Sequence, residues 1–189
     1  DLWCDTVVVD CEDTCITSII CPANITINTD PGICGAVVNY TPPTGTSTCP
    51  GAITVQTAGL GSGSTFPVGT TTEEYTVMDA DGNTYSCSFT ITVNDNEAPS
   101  ITCPANITVP NDAGICGAQV IYSVPIGSDN CPGAISIQTA GLGNGATFPV
   151  GTTTEEFTVS DAQGNLDNCS FTVTVVDTEN PTITCPPNI

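Results

Sequence analysis

Apolar and polar residues alternate along most of this chain. From Cys87 to Val93, Cys87, Phe89, Ile91 and Val93 point one way and Ser88, Thr90 and Thr92 the other, the period-two pattern of a strand with one buried face. An acidic, Pro-containing connector follows, and a new strand opens at Ile101-Thr102-Cys103. The same order recurs from Cys169-Ser170-Phe171 to Thr182-Ile183-Thr184-Cys185. In the first copy the pattern predicts strands over Pro22–Ile27, Cys34–Tyr40, Ile53–Thr57, Ser64–Phe66, Glu73–Met78 and Tyr85–Val93. Turn-forming stretches separate them: Thr29-Asp30-Pro31-Gly32, Thr41-Pro42-Pro43-Thr44-Gly45, Pro67-Val68-Gly69 and Asp79-Ala80-Asp81-Gly82-Asn83. No useful window carries a helical period.

Residues 21–102 and 103–184 align without a gap and are roughly two-thirds identical. Cys21, Cys34, Cys49 and Cys87 map onto Cys103, Cys116, Cys131 and Cys169. Val37 becomes Gln119 and Asn39 becomes Ile121, while Ala36, Val38 and Tyr40 return as Ala118, Val120 and Tyr122. The retained set alternates with the changed set, so it marks the core face. Short strands and regular turns in each copy predict an all-β protein of two tandem immunoglobulin-like β-sandwich modules. Their expected bounds are 21–97 and 98–179. Residues 1–20 form a Cys-rich N-terminal segment, and 180–189 a C-terminal strand stub that begins a third copy. The N-terminal segment holds Trp3, a strand at Val7-Val8-Val9, and Cys4, Cys11 and Cys15. Disulfides suit these cysteines better than a zinc site, which would favour a CxxC spacing that is absent.

Charge narrows the function classes. Twenty Asp and Glu stand against no Lys, Arg or His. Nothing can neutralise phosphates, which excludes nucleic acid and anionic membrane surfaces as partners. No side-chain salt bridge can form, so the carboxylates repel unless spread out or sharing cations. Twelve Cys point to an oxidising compartment, and no apolar run is long enough to insert in a membrane. With Asp1 rather than Met first, the expectation is a processed extracellular protein, secreted or at the cell surface. Catalysis is not expected: Glu73-Glu74 and Glu155-Glu156 each point to opposite strand faces, and no Ser or Cys has a His or Lys to activate it.

Four motifs in fixed order carry a family resemblance. They are Cys-Pro-Ala-Asn-Ile-Thr opening each copy, Thr-Phe-Pro-Val-Gly-Thr-Thr, Asp-Ala-x-Gly-Asn, and Cys-Ser-Phe-Thr-x-Thr-Val. Over about residues 21 to 189 the chain resembles the hyalin repeat, the extracellular HYR module. The resemblance implies an immunoglobulin-like fold, an adhesive or structural role in tandem arrays, and no catalytic residues. Copy one departs from the typical pattern at Ser47-Thr48, where copy two has Asp129-Asn130. Four cysteines per copy allow three pairings. In a sandwich of this type the first and last strands run parallel and adjacent, which favours Cys21–Cys87 and Cys103–Cys169. A hairpin about Thr41–Pro42 would then pair Cys34–Cys49 and Cys116–Cys131, whereas a full-length second strand would separate them.

Cys4, Cys11, Cys15 and Cys185 remain. Two stacked modules would keep Cys185 tens of ångströms from the others, beyond the ~7 Å between Cα atoms that a disulfide allows. A bond from Cys185 to Cys4, Cys11 or Cys15 would therefore reach a neighbouring chain. The connectors place Asp95 and Glu97, and Asp177 and Glu179, where oxygen ligands could collect Ca2+; Val-Asn-Asp-Asn-Glu-Ala-Pro is similar to the acidic connector of cadherins. The Asp79–Asn83 stretch reads as an Asx turn. Sequons stand at Asn24, Asn39, Asn106 and Asn168, so glycans are expected as additional partners. The expected function is a non-enzymatic extracellular structural protein joining itself head to tail into a fibre or matrix, through disulfides or strand addition. The alternative is an adhesion module for carbohydrate or a surface protein, for which the chain offers no aromatic platform.

Overall fold

The computed structural model describes residues 15–185. The expected Val7–Val9 strand, with Trp3, Cys4 and Cys11, lies outside the described residues, as does the end of the stub from Pro186. Among the described residues there are fourteen strands and no helix. In the first repeat these are β1 (Thr17–Ser18), β2 (Ile25–Asn28), β3 (Gly35–Val37), β4 (Thr46–Ser47), β5 (Ile53–Ala58), β6 (Thr65–Pro67), β7 (Gly69–Met78) and β8 (Thr84–Asn94). The second repeat contributes β9 (Ile107–Pro110), β10 (Gly117–Gln119), β11 (Ile135–Ala140), β12 (Thr147–Pro149), β13 (Gly151–Ser160) and β14 (Leu166–Val176).

Each repeat is an immunoglobulin-like sandwich. One layer is four-stranded, β2-β8-β7-β5 in the first repeat and β9-β14-β13-β11 in the second; the other holds the short pair β3–β6 or β10–β12. The first and last strands run parallel, with Ile25 beside Ile91 and Ile107 beside Val173. The long hairpin β7–β8 pairs Glu73 with Phe89 and Thr71 with Ile91. Its Thr-rich outer face is knitted by hydroxyl contacts such as Thr76–Ser86 at 2.7 Å, the cross-strand pairing that stabilises exposed sheet faces.

The alternation places the core as the sequence predicts. Ala36, Val38, Phe66, Val77, Ile91 and Val93 are buried, while Val37 and Ile121 lie exposed. The second core adds Tyr122, edge-on to Phe171 at 4.9 Å between ring centroids, a geometry favoured by the ring quadrupole.

Strand limits differ from expectation for local reasons. Pro22 has no N–H to give a ladder, so β2 starts at Ile25, and the Asn24 side chain instead accepts from Thr90 N–H at 2.9 Å. The predicted Cys34–Tyr40 strand contracts to three residues, after which Tyr40 N–H turns to Ser62 Oγ at 2.9 Å. Two short strands were not predicted: β1 pairs with β4, and the second repeat keeps only the Ser100–Ser128 bridge at that register. Thr182–Cys185, expected as a strand, is exposed and belongs to no sheet.

The chain divides into two compact units: 1–30 with 35–94, and 31–34 with 95–189. The second unit therefore takes in the Pro31–Cys34 loop of the first repeat and the whole connector from Asp95.

Candidate functional site: the cysteine and carboxylate cluster of the second unit

Cysteine connectivity corrects half of the expected pairing. Cys21–Cys87 and Cys103–Cys169 are bonded, with Cα atoms 5.6 and 5.5 Å apart, because the parallel first and last strands bring those positions together. Cys34 does not pair with Cys49, nor Cys116 with Cys131. Cys34 is bonded to Cys131 (Cα–Cα 4.7 Å) and Cys15 to Cys49 (5.4 Å). The reason lies in the sheets. A Cys34–Cys49 bond required a hairpin about Thr41–Pro42, but β3 pairs with β6 while the chain beyond Pro43 enters β4 and pairs with β1. Among the described residues Cys116 and Cys185 are free and exposed. Cys15, already bonded to Cys49, is not an open partner for Cys185.

Around Cys34–Cys131 the second unit gathers several polar groups. Gly32 N–H donates to Glu97 Oε2 at 2.8 Å, and Asn130 Nδ2 donates to Ile33 O at 3.2 Å. Asp129 Oδ2 accepts from Cys131 N–H at 2.9 Å. Asn165 Nδ2 reaches the backbone oxygens of Asp95 and Glu97 at 3.1 and 3.3 Å. The buried Asp95 carboxylate, the Asp129 carboxylate and Cys131 Sγ converge to within 4.8 Å of one another. Cys131, as half of a disulfide, offers no thiolate to a metal.

The four expected calcium ligands are thus split. Asp95 faces Asp129, which is not among the four expected ligands. Glu97 is occupied by the Gly32 loop, and Asp177 and Glu179 lie exposed, with Glu179 Oε1 accepting from Gly114 N–H at 2.8 Å. The residues present fit a hard cation. Asp129 Oδ1 and Asn130 Oδ1 are buried without a hydrogen-bond partner, which is costly unless something outside the chain satisfies them, and oxygen-only donors suit Ca2+.

Glu73 and Glu155 are structural. Glu73 is fully buried and accepts from Tyr40 Oη (2.7 Å), Gln56 Nε2 (2.9 Å), Leu60 N–H (2.8 Å) and Gly61 N–H (3.0 Å). Glu155 repeats the arrangement with Tyr122, Gln138, Leu142 and Gly143. With no cation in the chain, these N–H and O–H dipoles compensate the buried carboxylates. Gly59 (φ +94°) and Gly141 (φ +100°) let the backbone come close, since a Cβ at either would press into the carboxylate. Burial and the bond to Glu155 push the Tyr122 phenol well above its ordinary value.

The Asx turn is present at Asp79. Burial pushes its carboxyl up, but hydrogen bonds from Asn83 N–H (2.9 Å) and Nδ2 (3.2 Å), Asp81 N–H (3.1 Å) and Ser47 Oγ (3.2 Å) outweigh it and hold the pKa below the usual carboxylate value. Asp161 is lowered in the same way by Asn165 and its neighbours. All four sequon asparagines are exposed.

The HYR domain family model matches residues 12–93 and 94–175. The chain is 37% identical to a Hyalin of Strongylocentrotus purpuratus over 186 residues, 95% of this chain and 15% of that protein. It is 35% identical to a Hyalin of Lytechinus variegatus over 85% of this chain and 31% of that one. The chain therefore spans less than a third of either relative. Among solved structures, the cadherin domains 1–5 of Protocadherin Gamma B2 align over 89% of this chain and 41% of that one, at 13% identity and a TM-score of 0.44.

Proposed function

Because this chain belongs to the HYR domain family, matched twice in tandem, we propose that it is a segment of an extracellular matrix or adhesion array, joined head to tail. The observation that supports this most directly is the Cys34–Cys131 bond, which ties the β2–β3 loop of one repeat to the following repeat. Repeats linked this way form a covalent series rather than beads on a free linker. Among the described residues no helix is long and apolar enough to cross a membrane. The role needs no reaction centre: the buried glutamates are engaged by backbone and side-chain donors.

Calcium is part of the proposal. Asp95, Asp129 and Asn130 hold the ion, which lowers the repulsion of a chain carrying net charge −20. Extracellular calcium modules bind at about 0.1–1 mM, so calcium in that range is expected to raise the melting temperature of the second unit, and Asp129→Asn to abolish the response. A response unchanged in Asp129→Asn moves the ion elsewhere. Head-to-tail joining is tested by electron microscopy of the purified chain with and without reductant. Filaments repeating at two modules support it, and dispersed single particles under oxidising, calcium-containing conditions contradict it. The exposed sequons leave room for glycans on the same array.

A further inference from the structure

The two repeats use the same cysteine registers but do not fill them alike. The Cys49 register of the second repeat, Cys131, is bonded to Cys34 of the preceding repeat. The Cys34 register of the second repeat is Cys116, which is free and exposed. Its surroundings already have the arrangement found at the bonded copy. Gly114 N–H donates to Glu179 Oε1 at 2.8 Å, as Gly32 N–H donates to Glu97 Oε2 at 2.8 Å. Asp112 Oδ2 receives Gln119 N–H at 2.8 Å, as Asp30 Oδ2 receives Val37 N–H at 2.9 Å. Cys116 opens onto a surface depression also lined by Gly114, Ile115, Asp177 and Glu179. It is an outgoing half-staple with no receiving cysteine among the described residues.

The first repeat holds the matching half. Cys49 sits on the same turn as Cys131: Ser47 Oγ accepts from Cys49 N–H at 3.1 Å, as Asp129 Oδ2 does from Cys131 N–H. Its partner, Cys15, falls at the register of Glu97, the residue that receives the incoming loop in the second repeat. Cys15 therefore closes by an internal bond the position that a preceding repeat would fill. The adjoining β1 is only two residues long, a short element of the kind that opens locally at low cost.

We propose that Cys116 of one chain bonds Cys49 of a second copy, displacing Cys15, so that the second copy's first repeat takes the place of a following repeat. This rests on the head-to-tail reading and supplies its chemistry. The Cys116 thiolate attacks Cys49 Sγ in the Cys15–Cys49 disulfide. The Cys116–Cys49 bond forms, the Cys15–Cys49 bond breaks, and Cys15 leaves as a thiolate that takes up a proton. One disulfide replaces another, so no external oxidant is consumed.

The test is non-reducing electrophoresis of the full chain incubated in a glutathione redox buffer, with the cross-linked peptides mapped by mass spectrometry. The wild-type chain is expected to form a ladder containing Cys116–Cys49 peptides. Cys116→Ser should lower the ladder at least tenfold; its fold should hold, since the thiol is free and exposed. Cys185→Ser should leave it unchanged, and Cys15→Ser, which opens Cys49, should speed it. A ladder that persists in Cys116→Ser overturns the assignment. Linking in Cys15→Ser with a monomeric wild type would confine the staple to a following repeat with an open cysteine, and overturns the second-copy assignment. Filaments of Cys116→Ser without a ladder would keep head-to-tail assembly and remove Cys116 from it. No association in either wild type or Cys15→Ser would remove both.

Discussion

Replacing Glu155 by Gln changes one atom of the side chain and tests how the second core is held. The carboxylate accepts four hydrogen bonds: Leu142 N–H on Oε1, and Tyr122 Oη, Gln138 Nε2 and Gly143 N–H on Oε2. A glutamine keeps the three-donor side only by turning its NH2 toward Leu142 N–H. That buried donor is then unpaired, at about 1–3 kcal/mol. The three surviving bonds lose their charge assistance, about 1 kcal/mol each. Relief from desolvating a charge offsets part of this, leaving a net loss of about 2–4 kcal/mol. A small domain has ~5–15 kcal/mol in all, so the melting temperature of the second unit should fall by about 8 °C or more. Calorimetry is the assay, since a two-unit chain need not melt in a single step. The first unit's transition should stay in place. Glu156→Gln, one residue away and exposed, is the control and should stay within ~0.5 kcal/mol of wild type. If Glu155→Gln melts with Glu156→Gln, the four donors contribute nothing net and the account of the buried carboxylate is wrong.

Acid should weaken both units through their Asx turns. The Asp79 and Asp161 carboxyls are lowered in the fold from an ordinary value of 3.8, so their stabilisation is complete above that pH and is lost as pH falls below it through the folded values. Asp79→Asn should flatten the acid limb of the first unit's stability curve; an unchanged limb would clear the turn of any part in it. Cys87→Ser opens a bridge of 66-residue separation, and losing such a bond from a small secreted domain costs about 2–5 kcal/mol. The first unit should unfold near physiological temperature while the second persists, and a calorimetric trace with both transitions unmoved would show that this bond is dispensable.

Much of the fold was legible because alternation is local. Val37 and Val38 are chemically alike, yet their places in the period put one outside and one inside, and the second copy's Gln119 and Val120 already said which. The same alternation puts Glu73 inward with Tyr75 and Val77, and that signal was open to use. A carboxylate on a core face reads as an error until its donors are known, and those come from the distant Gly59–Gly61 turn and Tyr40. The Cys34–Cys131 bond was less accessible. Within a copy, Cys34 and Cys49 flank the turn-forming Pro42-Pro43, which suggests a hairpin between them. Only the sheet partners, β6 for β3 and β1 for β4, show that no hairpin joins them. Asn130 is a hint in the sequence, since it replaces Thr48 beside Cys131, which receives a loop from another repeat.

The bonds Cys21–Cys87 and Cys103–Cys169 each span a 66-residue separation, and this sets how far the chain can be stretched. A pull applied at residues 15 and 185 follows the shortest covalent route: 15–21, across to 87, on to 103, across to 169, then to 185. Only about 38 residues lie on that route, an extended length of about 130 Å at ~3.5 Å per residue. The reduced chain between the same points could lengthen to about 600 Å. Even with every sheet torn open, the oxidised segment would stop lengthening at about 130 Å and from there pass load to its neighbours in the array instead of absorbing it by further unravelling.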